Sequence, residues 1–196
     1  YYPDGHLMST YTIVKGKEEG EKKSYYETGA VKETGTMHEN EREGEFTSYF
    51  ENGQIESKEV YRKDKLNGPC IYYHPNGKER LSVTYDDGEQ EGGSIQKDDE
   101  GRIEMIDEYK KGHLKKLAYY NVLSGQLLKE NIIEDNEKNM IKVFNSTGQM
   151  VKQAFCDRDG KYNGEYKEFY LNGAVLVVKQ YNLGDANGSA TEYYMD

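Results

Sequence analysis

The stretch Gly44–Asn67, GEFTSYFENGQIESKEVYRKDKLN, decides the reading of this chain. Its Asn52-Gly53 pair marks a turn. The same place is held at Gly5, Gly29, Gly53, Gly77, Gly101, Gly125, Gly148 and Gly173, at spacings of 24, 24, 24, 24, 24, 23 and 25 residues. So constant a period identifies a repeat architecture. A second column stands eleven residues after each turn glycine: Gly16, Asn40, Asp64, Gly88, Gly112, Asn136, Asp159 and Gly184. Every member is Gly, Asn or Asp, the residues that tolerate positive φ. Two turns per unit leave segments of about seven to nine residues, right for strands and too short for helices. Asn-Gly is the strongest short hairpin signal. The expectation is an all-β fold, an elongated single-layer antiparallel meander of stacked hairpins. It has about eight repeats and about sixteen strands, in one domain over residues 1–196.

Composition agrees. The 196 residues include 19 Tyr and 21 Gly but no Trp, 32% are charged, and mean hydropathy is −1.02. High charge with low hydropathy favours disorder, but disordered chains are poor in aromatics. A thin repeat resolves the conflict, since each unit buries surface only against its neighbours. Net charge is −10, with basic residues scattered among acids. Such a surface disfavours nucleic acid and anionic lipid as partners. No apolar run is long enough to span a membrane. Cys70 and Cys156 lie in distant repeats and read as free thiols. The chain opens without Met and inside a repeat, and ends inside another at Asp196. Truncation within a repeat at both ends is therefore expected, with an upstream signal sequence left open.

The side-chain columns sort the faces. Two past the turn glycine stand Leu7, Val31, Ile55, Glu79, Ile103, Leu127, Met150 and Val175; eight past it the column includes Met37, Tyr61, Tyr85, Tyr109, Cys156 and Tyr181. A two-residue turn would pair Tyr26 with Val31, Phe50 with Ile55 and Tyr170 with Val175, all on one face. On that face Tyr61 would cover Gly68 and Tyr85 would cover Gly92. The other face would then carry a stripe four before the turn: Tyr1, Tyr25, Tyr49, Tyr73, Lys97, Asn121, Phe144, Phe169 and Tyr193. A one-residue change in the turn would swap the stripes between faces. The exposed aromatics Tyr25, Tyr49, Tyr73, Phe144, Phe169 and Tyr193 are the candidate partner-binding residues. The segment AYYNVLSG has extra residues before Gly125, so a bulge or longer loop is expected near Asn121–Ser124.

The unit has an opening Gly, a Tyr pair, Asn-Gly, an apolar residue and a Tyr eight past the turn. It resembles the MORN repeat, in particular the bacterial variant form of YwqK-type antitoxin proteins. Gly44–Tyr61 and Gly164–Tyr181 carry the motif most fully, and the resemblance covers essentially the whole chain. It implies stacked hairpins used for protein–protein contact or scaffolding. The antitoxin label implies binding a protein partner, in the bacterial cytoplasm or cell envelope.

Nothing converges for catalysis. His6, His38, His74 and His113 occupy four different repeat positions, whereas a metal needs ligands brought together. His74 replaces an aromatic and reads as a packed ring. Acidic pairs such as Asp86-Asp87 fall in or near turns, where Asp is an ordinary residue. No enzyme activity and no cofactor are expected. The alternative is a carbohydrate or cell-wall module using the exposed tyrosines, although such repeats usually stack sugars on Trp. The two sheet edges, near Tyr1 and Asp196, are candidates for self-association.

Overall fold

The computed structural model describes residues 1–133, 139–157 and 159–194. The expected turn residue Asn136 lies outside them, as does Asp196. All regular structure is β-strand. The chain divides into two units, one of Tyr1–Gly101 with Lys110–His113, the other of Arg102–Tyr109 with Leu114–Asp196. In the first, Gly20–Tyr25, Val31–His38, Glu41–Tyr49, Ile55–Arg62, Gly68–Tyr73 and Glu79–Asp86 pair antiparallel in chain order. In the second, Leu127–Ile133, Asn139–Phe144, Met150–Cys156, Tyr162–Phe169, Val175–Asn182 and Asp185–Glu192 do the same. The fold is the all-β antiparallel meander that the period predicts.

The turns reverse expectation. At Gly53 the Phe50 amide donates to the Gln54 carbonyl (2.8 Å) and the Gly53 amide to the Phe50 carbonyl (2.8 Å). Three residues, Glu51, Asn52 and Gly53, therefore make the loop, with Gly53 at φ 83°. This is a type I turn closed by a left-handed glycine. The Asn52 carboxamide steadies it by accepting from the Gln54 amide (2.9 Å). The two-residue turn is the other one. Glu39-Asn40 and Lys63-Asp64 each have both φ positive, and they join His38 to Glu41 and Arg62 to Lys65. Positive φ at both central residues is the type I′ requirement.

One extra loop residue moves the register. Tyr25 faces Val31, Tyr49 faces Ile55 and Phe169 faces Val175, in place of Tyr26, Phe50 and Tyr170. A bulge follows each pair, as between Ser48 and Tyr49. The stripe four before the turn thus shares a face with the residue two past it, and the expected stripes are exchanged. The longer loop expected near Asn121 is present. Asn121 bonds Gln126 across four residues, and Tyr120 faces Leu127. Tyr120 therefore takes the place in the stripe that the residue count assigns to Asn121. In the next unit the 25-residue spacing is absorbed by the second turn, where Asp157 bonds Lys161 and Gly160 takes the positive φ in place of Asp159.

The opening glycines also have a different cause. Tyr61 faces Gly44 and Tyr85 faces Gly68, so these tyrosines lie opposite the opening glycine of their own unit. Gly68 has Val60 beside it, and nothing lies where Gly92 would carry a Cβ. What Gly44, Gly68 and Gly92 share is positive φ (82°, 124° and 79°) beside a break in the ladder, as a bulge requires.

A thin core runs along one face of each unit. Phe46 is 2% exposed and stacks edge-on to Tyr61 at 5.3 Å. Cys70, Val83, Ala118, Ala154, Cys156, Tyr166 and Val177 are also buried.

Candidate functional site

Inter-repeat bonds occupy much of the polar chemistry. The residue three before the turn reaches one unit forward. Tyr2, Tyr26 and Tyr170 donate their hydroxyls to the carbonyls of Tyr25 (2.7 Å), Tyr49 (2.7 Å) and Tyr193 (2.8 Å). His74 is half-buried and puts Nε2 2.9 Å from the Lys97 carbonyl, so it is the packed ring expected and serves the same link. At the opposite turn the Asn40 amide donates to the Glu18 carbonyl (3.1 Å) while its carboxamide accepts from the Glu18 amide (2.7 Å). Asp64 repeats this on Arg42. Each strand edge at the turn is thereby satisfied by the next unit.

A further column escapes sequence reasoning. Glu19, Glu43 and Glu91 accept from the amides of Glu39 (3.0 Å), Lys63 (3.1 Å) and Lys111 (2.6 Å), the first residues of the following two-residue turns. A glutamate fourteen past the turn glycine, as after Gly5, Gly29 and Gly77, is the signal. It is camouflaged by the abundance of Glu.

The stripe is less exposed than expected. Tyr25, Tyr49, Tyr73, Phe144 and Phe169 are half-buried, and Tyr193 is 49% exposed. In the first unit Tyr25, Tyr49 and Tyr73 recur every second strand, about 10 Å apart. Phe144, Phe169 and Tyr193 repeat the row in the second. Among the large apolar side chains described, Tyr194 (90%) and Tyr1 (85%) are the most open to solvent, followed by two loop leucines, Leu123 (82%) and Leu171 (65%). An apolar residue between the aromatic pair and the turn glycine was the available signal.

Reactive groups are few. Both cysteines are free and buried. Burial pushes both thiols up, with Glu59 reinforcing Cys70 and Asp157 reinforcing Cys156, which makes them poor nucleophiles. His6 pairs with Asp4 and His38 with Glu19, each at 2.9 Å and exposed. No group of three or more His, Cys, Asp or Glu could hold a metal among the described residues. In the second unit Glu130 sits between Lys116 (2.7 Å) and Lys142 (3.2 Å). Burial works to raise its pKa, but the two ammonium hydrogen bonds prevail and lower it.

Residues 18–39, 42–63 and 162–182 match the family described as MORN repeat variant. Those three segments are similar to MORN-type repeats. Each matched segment runs from just past one two-residue or equivalent turn to the next, so the family's unit is the structural one. The remaining units keep the ladder, as in Gly112 to Gln90 (2.9 Å). No curated protein matches the chain. Among the described residues no helix is long and apolar enough to cross a membrane.

Proposed function

We propose that this protein is a non-enzymatic interaction scaffold that binds a protein partner in the manner of an antitoxin. The observation that supports it is the way the repeat uses its side chains. Tyr hydroxyls, turn carboxamides and strand-end glutamates are tied to neighbouring backbone, and both thiols are buried. What remains for outside contact is a row of half-buried rings with apolar loop tips beside them. Anchored aromatics with a polar surround make good protein-contact residues, because their rotamers are fixed before binding.

The test is a defined complex. The full chain, immobilised, recovers one protein at fixed stoichiometry, and calorimetry with the purified pair gives saturable binding. Replacing Tyr49 and Tyr73 by Ser, or Phe169 and Tyr193 by Ser, weakens that binding about tenfold or more for the row that makes the contact. Recovery of glycan with no protein, or binding indifferent to both pairs, overturns the reading.

A further inference from the structure

A trough of about 520 Å³ lies within the first unit. Its floor follows from the register. Ser9 faces Ser24, Ser24 faces Glu33, and Glu33 faces Ser48. Three serines and Glu33 thus stand side by side on four adjacent strands. At about 4.8 Å per strand the row is roughly 14 Å long. The hydroxyls of Ser9, Ser24 and Ser48 make no hydrogen bond among the described residues. Beyond the buried Ser57, which faces Ser48, the same row carries bulk at Tyr72 and Leu81. The serines of the row leave room for the trough.

The walls are charged and set in place. Lys22 is held by Glu18 (2.8 Å), and Lys32 lies 5.6 Å from the Tyr26 ring. The Arg42 guanidinium rests against Phe46 (4.7 Å) and Tyr61 (5.0 Å). Its Nη2 reaches Glu33 only at 3.4 Å. A good charge-assisted bond is about 2.7–2.9 Å, so the Glu33 contact is a loose one, while the two rings hold the guanidinium's orientation. Glu33 and Glu56 add two acceptors, and Tyr2, Met8 and Tyr25 complete the lining.

We propose that this trough binds a small acidic sugar, a mono- or disaccharide-sized polyol carrying one carboxylate or phosphate. Volume fits a small ligand, for which pockets run roughly 300–1,000 Å³. Lone serine hydroxyls and two carboxylates suit hydroxyl groups, which both donate and accept. Three cations suit one anion, with Arg42 as its fork. Glu33 and Glu56 reject a polyanion, and the cations reject a basic ligand. Ser24, Glu33 and Ser48 each lie on a strand paired on both sides along this row, so no peptide can add to the sheet across them, while Ser9 stands on the outermost strand and pairs with Ser24. The site uses none of the rings assigned to the protein partner except Tyr25, so the two readings fail separately.

The test is a two-dimensional NMR titration of the full chain with glucuronate, glucose 6-phosphate, glucose and acetate. Shifts at Ser24, Ser48 and Arg42 should saturate with glucuronate or glucose 6-phosphate, and the stronger of the two identifies the anion. Glucose and acetate should each bind about tenfold or more weakly, as loss of a charge-assisted contact or of the hydroxyl set implies. Arg42→Gln should abolish the preference for the acidic sugar. Because Arg42 also packs on Phe46, Ser24→Val with Ser48→Val serves as a second variant, filling the floor without touching that stack. Saturation by neither acidic sugar at about 10 mM, equal binding of glucose or of acetate, or unchanged affinity in the Ser24→Val/Ser48→Val chain overturns the proposal.

Discussion

Two hairpins, Glu41–Arg62 in the first unit and Tyr162–Asn182 in the second, place different side chains at equivalent sites. Gly44 faces Tyr61 as Gly164 faces Tyr181, and Phe46 faces Glu59 as Tyr166 faces Lys179. In the first, Arg42 covers the aromatic pair. In the second that place is taken by Tyr162, which faces Cys156 as Arg42 faces Met37, and three tyrosines gather with centroids 5.2–5.5 Å apart. The strand beneath differs too. Phe46 lies on Gly35, whereas Tyr166 faces Ala154. The backbone scheme tolerates either set, so the ladder specifies the fold and the face chemistry is free to vary.

The contrast breaks most sharply at Gly35. A Cβ there would stand 2.3 Å from Cδ1 and 2.4 Å from Cε1 of Phe46. Gly35→Ala therefore forces the ring out of place, and urea denaturation should show a loss of about 2–3 kcal/mol. The converse change in the second unit, Ala154→Gly, should cost only about 1 kcal/mol, from added chain freedom. Pairing Gly35→Ala with Phe46→Leu should lose less than the two changes summed, since they meet at one contact. Equal costs at Gly35 and Ala154 would show that the two packings are not different in kind.

The turn columns offer the next comparison. Asn40 combines positive φ with a carboxamide bond to the Glu18 amide, whereas Gly184 supplies φ alone and bonds Tyr162 through its amide (2.8 Å). Asn40→Ala should cost about 2 kcal/mol, part strain and part lost hydrogen bond. Asn40→Gly isolates the second part, at about 1 kcal/mol. Gly184→Ala carries only the strain, at about 1 kcal/mol. Thermal unfolding of the three variants checks the partition, and an Asn40→Gly chain as weak as Asn40→Ala would remove the backbone from the account.

The period and both turn columns were legible in sequence because each answers a local backbone demand, φ > 0, that few residues meet. Loop length was not, since Asn52-Gly53 serves a two-residue turn and the last two places of a three-residue turn equally well. That one residue exchanged the faces and moved the partner of Val31 from Tyr26 to Tyr25. The trough was invisible for the same reason: Ser9, Ser24 and Ser48 are unremarkable until the register sets them in one row with Glu33. The candidate stripe was found by count, but its half-burial depends on bulges that no spacing announces.

The Lys116–Glu130–Lys142 cluster of the second unit contrasts with the looser Arg42–Glu33 contact of the first. Glu130 has its folded pKa lowered from 4.5. Its contribution is present above that value and lost as pH falls through it toward the folded pKa. Glu130→Gln should destabilise by about 1–2 kcal/mol at neutral pH, discounted because both lysines reach solvent. The variant should also lose less stability than the parent between neutral pH and acid, in parallel denaturation series. An unchanged acid slope would place the acid sensitivity elsewhere.

The smallest effect distinguishes the aromatic sets at alkaline pH. In the first hairpin burial, then the bond to Glu59 (2.7 Å), pushes Tyr61 up to about 12 from 10.0. In the second the shift falls on Tyr166, raised by burial and then by its bond to Glu168. Raised folded values mean that both rings hold their proton more tightly in the fold than when unfolded. Their stabilisation is complete below pH 10 and is lost as pH rises through the folded values. Tyr61→Phe and Tyr166→Phe should each flatten the alkaline fall in stability, and near neutral pH each should cost no more than about 1 kcal/mol. Following tyrosinate absorbance beside far-ultraviolet circular dichroism separates the classes. A late tyrosinate step should coincide with unfolding. If that late step survives unchanged in both variants, neither ring controls the alkaline limit, and the difference between the hairpins is one of packing alone.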